Sequence, residues 1–182
     1  MRKGFIWLIT ATILLVSVGV GVTVALLVAS SNTVVNTFTI GKVSIALEES
    51  TGEEYIMTPG VSLPKDPTVT VVAKSEDCWL FVRIEKENGF DAFCEYEIAS
   101  GWSALDGYDG VYCRMVKNAL SDQAFSVLNN DSIYVKDSVT EEQLSAVTEN
   151  PKLNVTAYAV QNDSGLSAKD AWTALNLTER SE

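Results

Sequence analysis

After residue 40, apolar side chains recur at every second position in one segment after another, a period that predicts strands. Lys42–Leu47 sets Val43, Ile45 and Leu47 against Lys42, Ser44 and Ala46, which is the pattern of a half-buried strand. Thr68–Ala73 and Cys78–Ile84 are rich in β-branched and aromatic residues and flank the polar turn Lys74-Ser75-Glu76-Asp77. In the second arm Cys78, Leu80, Val82 and Ile84 share one face. Trp79 and Phe81 occupy the other, which turns polar only at Arg83 and Glu85. A strand apolar on both faces needs cover on both, which predicts a central position in its sheet. The two arms read as a pair around which the remaining strands gather.

Glu48 to Pro64 reads as a mostly polar, irregular connection, with turns at Ser50-Thr51-Gly52 and Pro59-Gly60. Ala92–Ile98 alternates Phe93, Glu95 and Glu97 with Cys94, Tyr96 and Ile98, a half-exposed strand. Gly101–Gly110 reads as a loop. Val111–Val116, Ala124–Leu128 and Ser132–Val135 are further strands, with Asn129-Asn130-Asp131 as a turn before the last. Thr140-Glu141-Glu142-Gln143 forms a capping box that opens a short helix ending before Pro151. Leu153–Gln161 is a long strand. Ser167 caps a helix with Ala168, Ala171, Trp172 and Leu175 on one face, which needs the sheet as a partner. The class is therefore all-β, a β-sandwich of roughly seven to nine strands with two short helices.

The N-terminus departs from this alternation. Met1-Arg2-Lys3 is basic, no charge occurs from Phe5 to Ala29, and the next charged residue is Lys42. The apolar run is long enough to span a bilayer as an anchor helix. Its greasiest part is Phe5–Val16, followed by the small residues around Gly19–Ala25, as in a signal peptide. Thr23-Val24-Ala25 and Val28-Ala29-Ser30 both offer small side chains for cleavage. Either reading puts the rest of the chain outside the cytoplasm and divides it into a leader, residues 1–30, and one domain, residues 31–182.

Charge and chemistry narrow the function. The net charge is −11, and removing Arg2 and Lys3 with the acid-free leader takes it to −13. Such a body repels nucleic acid, and contact with a membrane falls to the N-terminal segment alone. No histidine is present, which excludes histidine triads and the His-Glu-x-x-His zinc helix. Cys78, Cys94 and Cys113 allow at most one internal disulfide. Cys78 and Cys94 would meet if their strands were neighbours; otherwise all three are buried thiols. Asp91, Asp106 and Asp109 lack the spacing of a calcium loop and read as a solvated turn. Glu95 and Glu97, on one strand face, read as exposed charges rather than an acid–base pair. No catalytic, cofactor or metal site follows.

Several segments together resemble a known family. They are Asn36-Thr-Phe-Thr-Ile-Gly-Lys-Val-Ser-Ile45, Pro59-Gly60, Lys65-Asp66-Pro67-Thr-Val-Thr-Val71, Ser75-Glu-Asp-Cys-Trp-Leu-Phe-Val82, Ala157-Tyr-Ala-Val-Gln161 and Ala171-Trp172. In these the chain is similar to the TasA/camelysin family of secreted proteins from Gram-positive bacteria, whose leaders are cut by a dedicated signal peptidase. The resemblance implies a jelly-roll-like sandwich and, in the TasA branch, subunits of extracellular matrix or biofilm fibres linked by a donated N-terminal strand. Similar leaders often end in Ala followed by an aromatic residue and an acid, whereas Leu26-Leu27-Val28 follows Ala25 here. Residues 31–40 are the segment that matches a donated strand, with Val34, Val35, Phe38 and Ile40 as its apolar positions. Val34, Phe38 and Ile40 share one face, interrupted by Asn36. The alternative is that this segment is the first strand of its own domain. Self-association and the signal peptidase are then the expected partners. The camelysin branch implies a surface metalloprotease as a rival, which the missing histidines oppose, and a monomeric surface binding domain is the third reading.

Overall fold

The computed structural model describes residues 28–30, 37–40, 42–51, 54–162 and 165–179. Strands are numbered in chain order. The largest sheet runs β2 (Thr37–Ile40), β13 (Lys152–Gln161), β7 (Cys78–Glu87), β10 (Val111–Val116), β9 (Ser103–Ala104). A second sheet is β11 (Gln123–Ser126), β6 (Thr68–Val71), β3 (Ile45–Glu48), and a third is β5 (Ser62–Pro64), β12 (Ser132–Val135), β8 (Cys94–Glu95). β1 (Val28–Ser30), which the sequence assigns to the leader, pairs with β4 (Glu54–Ile56). The rest of the leader lies outside the described residues. Among the described residues every ladder is antiparallel except β2 with β13, which is parallel.

The all-β class expected from the alternation is what the chain adopts. β7 is central, flanked by β13 along its whole length and by β10 from Cys78 to Arg83. Its two faces enter different cores. Cys78, Leu80, Val82 and Ile84 join a cluster with Leu47, Val69 and Val71 of the second sheet and Leu63, Cys94, Ile133 and Val135 of the third. Phe81 enters a smaller cluster with Val111, Cys113, Tyr158, Val160 and three residues of the C-terminal helix, with Trp79 packed against it. The five-stranded sheet thus lies between two other sheets on one side and a helix on the other.

β6 and β7 do not form the pair that their shared composition predicts. β6 belongs to the second sheet and β7 to the first, so the polar turn carries the chain across the core. Lys74 takes a positive φ of 64° there. Asp77 accepts from the Lys117 ammonium at 2.7 Å and the Asn118 amide at 2.8 Å, which ties the turn to the connection between β10 and β11. Alternation determines which face a residue occupies but says nothing about which strand lies alongside, so two arms that meet face to face look like a hairpin.

Two stretches differ from their sequence reading. The connection from Glu48 to Pro64 contains β4 and β5, each three residues long and too short to show a period. Ala92–Ile98 is strand only at Cys94–Glu95, because Asn88 and Gly89, at φ 53° and 73°, turn the chain into the helical turn α1 (Phe90–Phe93). The helices among the described residues are therefore three: α1, α2 (Glu141–Ser145) and α3 (Ala168–Glu179). In α2 the Gln143 amide donates to Thr140 Oγ1 at 3.2 Å and the Thr140 amide to Gln143 Oε1 at 2.9 Å, closing the capping box. At α3 the Asp170 amide donates to Ser167 Oγ at 3.2 Å.

A buried polar tie joins the end of β3 to the start of β6. Lys65 is fully buried, with Nζ 2.9 Å and 3.1 Å from the two oxygens of Glu49. The Asp66 carboxylate accepts from the backbone and side chains of both Ser50 and Thr51. Burial pushes the Asp66 pKa up, but these hydrogen bonds outweigh it and hold the carboxyl at about 2. At Gly110, with φ 70°, a Cβ would sit 2.5 Å from the Ile84 carbonyl oxygen. Only glycine lets this turn approach β7 so closely.

Candidate assembly site

The sequence-predicted assembly strand divides at the limit of the described residues. Val34 and Val35 lie outside them, whereas Phe38 and Ile40 lie in β2 at one edge of the five-stranded sheet. The register is Thr37 with Ala157, Phe38 with Tyr158, Thr39 with Ala159 and Ile40 with Val160. Residues opposite one another in a ladder project to the same face. Positions 37 and 39 therefore fall on the face of Ala157 and Ala159, both fully buried in the inter-sheet core. Positions 38 and 40 fall on the face of Tyr158 and Val160, which is the face that α3 packs against at β13. Just past β2 the Lys42 amide donates to Gln161 Oε1 at 2.6 Å.

The α3 side of this edge is aromatic. Trp172 lies 5.2 Å from Phe81, 5.2 Å edge-on from Tyr158 and 6.2 Å from Tyr108, centroid to centroid. Ala171, Trp172 and Leu175 supply the buried side of the helix, on the face that the spacing of Ala168, Ala171, Trp172 and Leu175 predicts. The Trp79 indole donates to the Leu166 carbonyl at 2.7 Å, which fixes the approach to the helix. Such aromatic contacts each contribute about 0.5–1.5 kcal/mol beyond burial.

The other residues singled out from sequence do not converge on this edge. Cys78 and Cys94 do not form the disulfide considered for them: Cys78 opens β7 and Cys94 opens β8 in a different sheet, and both are free buried thiols, as is Cys113. The neighbouring-strand condition for that bridge is not met. Burial, with a smaller contribution from Asp77, pushes Cys78 up to about 11. Burial takes Cys94 to about 11 as well, slightly opposed by Lys136, and raises Cys113. Cys94 Sγ lies 3.9 Å from Met57 Sδ.

Glu95 and Glu97 line a depression of about 510 Å³ beside Tyr96, Asn130 and Tyr134. Glu97 accepts from Asn129 Nδ2 at 2.9 Å, and Glu95 stands opposite Tyr134 in the ladder. Asp91 pairs with Lys86 at 2.9 Å. Among the described residues no three His, Cys, Asp or Glu side chains gather as a metal site would need.

Two features of the β2 edge had no sequence signal. One is that β13 is the partner, since 120 positions separate Thr37 from Ala157 and parallel pairing leaves no hairpin mark. The other is that α3 packs on the neighbouring β13 and on β7; Trp172 on an apolar helix face pointed to burial without naming the strands beneath. Compared with protein-family models, with curated proteins and with solved structures, the chain matches none of them.

Proposed function

We propose that the protein is an exported structural subunit that assembles outside the cell by lending its N-terminal strand to the next copy, within a jelly-roll-like sandwich. The observation that carries this reading is the place of Thr37–Ile40, at a sheet edge, parallel to β13 and remote from it in sequence. A strand joined to its sheet only by a ladder can be replaced by the same strand of another copy, because every backbone bond and side-chain contact is reproduced. The strand lies near the N-terminal end of the domain, so exchange requires that the chain swing about its connection to β3 and that β1 leave β4. Head-to-tail exchange that does not close on itself builds a filament. The acidic body and the uncharged run from Phe5 to Ala29 behind a basic start agree with a protein working outside the cytoplasm.

Paired cysteines test this directly. Thr39→Cys with Ala159→Cys places two small thiols opposite each other in the ladder. Oxidation of the assembled protein is expected to give a ladder of covalently linked oligomers on a reducing-agent-free gel. Links confined to single chains would sink the reading and leave residues 37–40 as the first strand of their own domain.

A further inference from the structure

We infer that the guanidinium of Arg114 is a binding site for a single carboxylate brought by another molecule. The inference does not depend on strand lending. In β10 the alternation puts Tyr112, Arg114 and Val116 on one face; Val116 is buried in the inter-sheet core and Tyr112 packs against it. Arg114 therefore carries a permanent charge at a core-facing position. Its Cζ lies 3.8 Å from the ring centroid of Phe125 in β11 and 5.3 Å from that of Trp102. Trp102 falls one step beyond the β9 ladder, opposite Arg114, and its indole donates to the Ser126 carbonyl at 2.9 Å. At Gly101, with φ 86°, a Cβ would stand 3.0 Å from Arg114 Nη2. Two aromatic rings and a close backbone thus hold the half-buried guanidinium in place.

The rings attract the cation but leave its five N–H donors unmet. Nε is buried with no acceptor, and among the described residues no carboxylate or carbonyl oxygen bonds to the guanidinium. Supply is not the reason, since the chain carries 24 acidic residues against 13 lysines and arginines. The acids around β11 are committed elsewhere: Asp122 accepts from the Ala73 amide, Asp131 from Ser126 and Glu97 from Asn129. Burial lowers the Arg114 pKa with no opposing contribution, as for a cation that has lost water without gaining a partner. The ligand class follows from this setting. A carboxylate bonds in the plane of the guanidinium, two oxygens to two N–H groups, and so does not compete with the ring contacts. The net charge of −11 repels phosphates and polyanions, which leaves a singly charged group on an otherwise neutral segment as the anion able to approach. Because the rings already restrict the side chain, little rotamer freedom is left to lose on binding.

The test follows the Arg114 Nε–H resonance by heteronuclear NMR in the full chain, at a concentration where it is monomeric. Only Arg2, Arg83, Arg114 and Arg180 give such signals, and the one that disappears in Arg114→Lys belongs to Arg114. Should that variant not fold, through-space contacts to the Phe125 ring make the assignment. Sodium acetate is expected to move this resonance saturably, together with the Trp102 indole N–H, while sodium chloride at equal ionic strength leaves both in place. A resonance that acetate does not move, or that chloride moves equally, overturns the inference. The source of the carboxylate is read without acetate. A shift that grows with protein concentration assigns it to a second copy of this chain; a response to acetate alone assigns it to a different molecule.

Discussion

One face of the five-stranded sheet rests on two other sheets, and the opposite face rests on a single helix. The first is aliphatic and closed by strands from across the chain: Leu47, Val69, Leu63, Ile133 and Val135 all reach it. The second is aromatic and small, with Phe81 and Tyr158 held under Trp172 of α3. Many separate strands must leave before the first face opens, whereas the second opens when one terminal helix lifts. β2 flanks β13 at the edge of this sheet, where Ala157 and Ala159 point to the sheet-covered side and Tyr158 and Val160 to the helix-covered side. The contrast teaches that two faces of one sheet can differ in how many segments must move to expose them.

Substitutions in the two covers test that contrast most strongly. Trp172→Ala is expected to cost about 3–5 kcal/mol and Leu80→Ala about 2–5 kcal/mol, read by denaturant unfolding. The loss at Trp172 should release α3 before the sheets, so that helix and tryptophan signals change at lower denaturant than the strand signal. Leu80→Ala should instead weaken the whole domain in one transition. Coincident transitions in the Trp172 variant would mean that the faces are not energetically separable.

A smaller effect comes from pH, through the polar tie on the sheet-covered side. Asp66, at about 2 in the folded chain, lies below its ordinary carboxyl value of 3.8. The sign follows: its contribution is present above the unfolded value and is lost as pH falls through the folded one. Stability measured from pH 5 to pH 2 should therefore decline less steeply in Asp66→Asn, which cannot ionise, while its stability at neutral pH is lower. An unchanged acid limb would place the acid sensitivity elsewhere.

Thiol labelling should give the finest resolution, without altering stability. Burial pushes Cys78 and Cys94, on the sheet-covered side, up to about 11, and raises Cys113 on the helix-covered side. At pH 8 none should react quickly with a thiol reagent in the native protein. Under mild denaturant Cys113 should react first, located by mass spectrometry of the labelled peptides. Faster labelling of Cys78 or Cys94 would reverse the ranking of the two covers.

Much of this architecture was legible along the chain. The alternation in Leu153–Gln161 and in Cys78–Ile84 marks long strands, and the two apolar faces of the second marked it as central, where it lies. Thr140 and Ser167 mark helix starts because capping is local chemistry, satisfied within three residues. Illegible were the short strands β4, β5 and β9, whose pairing comes from a neighbour supplied by the fold, whereas β8 is the part of the expected strand Ala92–Ile98 that pairs. The turn at Asn88 and Gly89 was missed because Phe93–Ile98 alternates well enough to hide the helical turn before it. Cys78 and Cys94 share an inward orientation, as their alternation implies, yet stand in different sheets.

By itself, the sequence determined the β class, the inward face of each long strand and the helix caps. These follow from side-chain chemistry within a few residues of backbone. The tertiary structure alone decided that β6 and β7 face each other across a core, that β2 runs parallel to β13, and that α3 packs on β13 and β7. Those are relations between segments as much as 120 positions apart, such as Thr37 and Ala157. A period of two assigns a residue to a face and leaves its neighbour open, so only the packing of the whole chain can choose one.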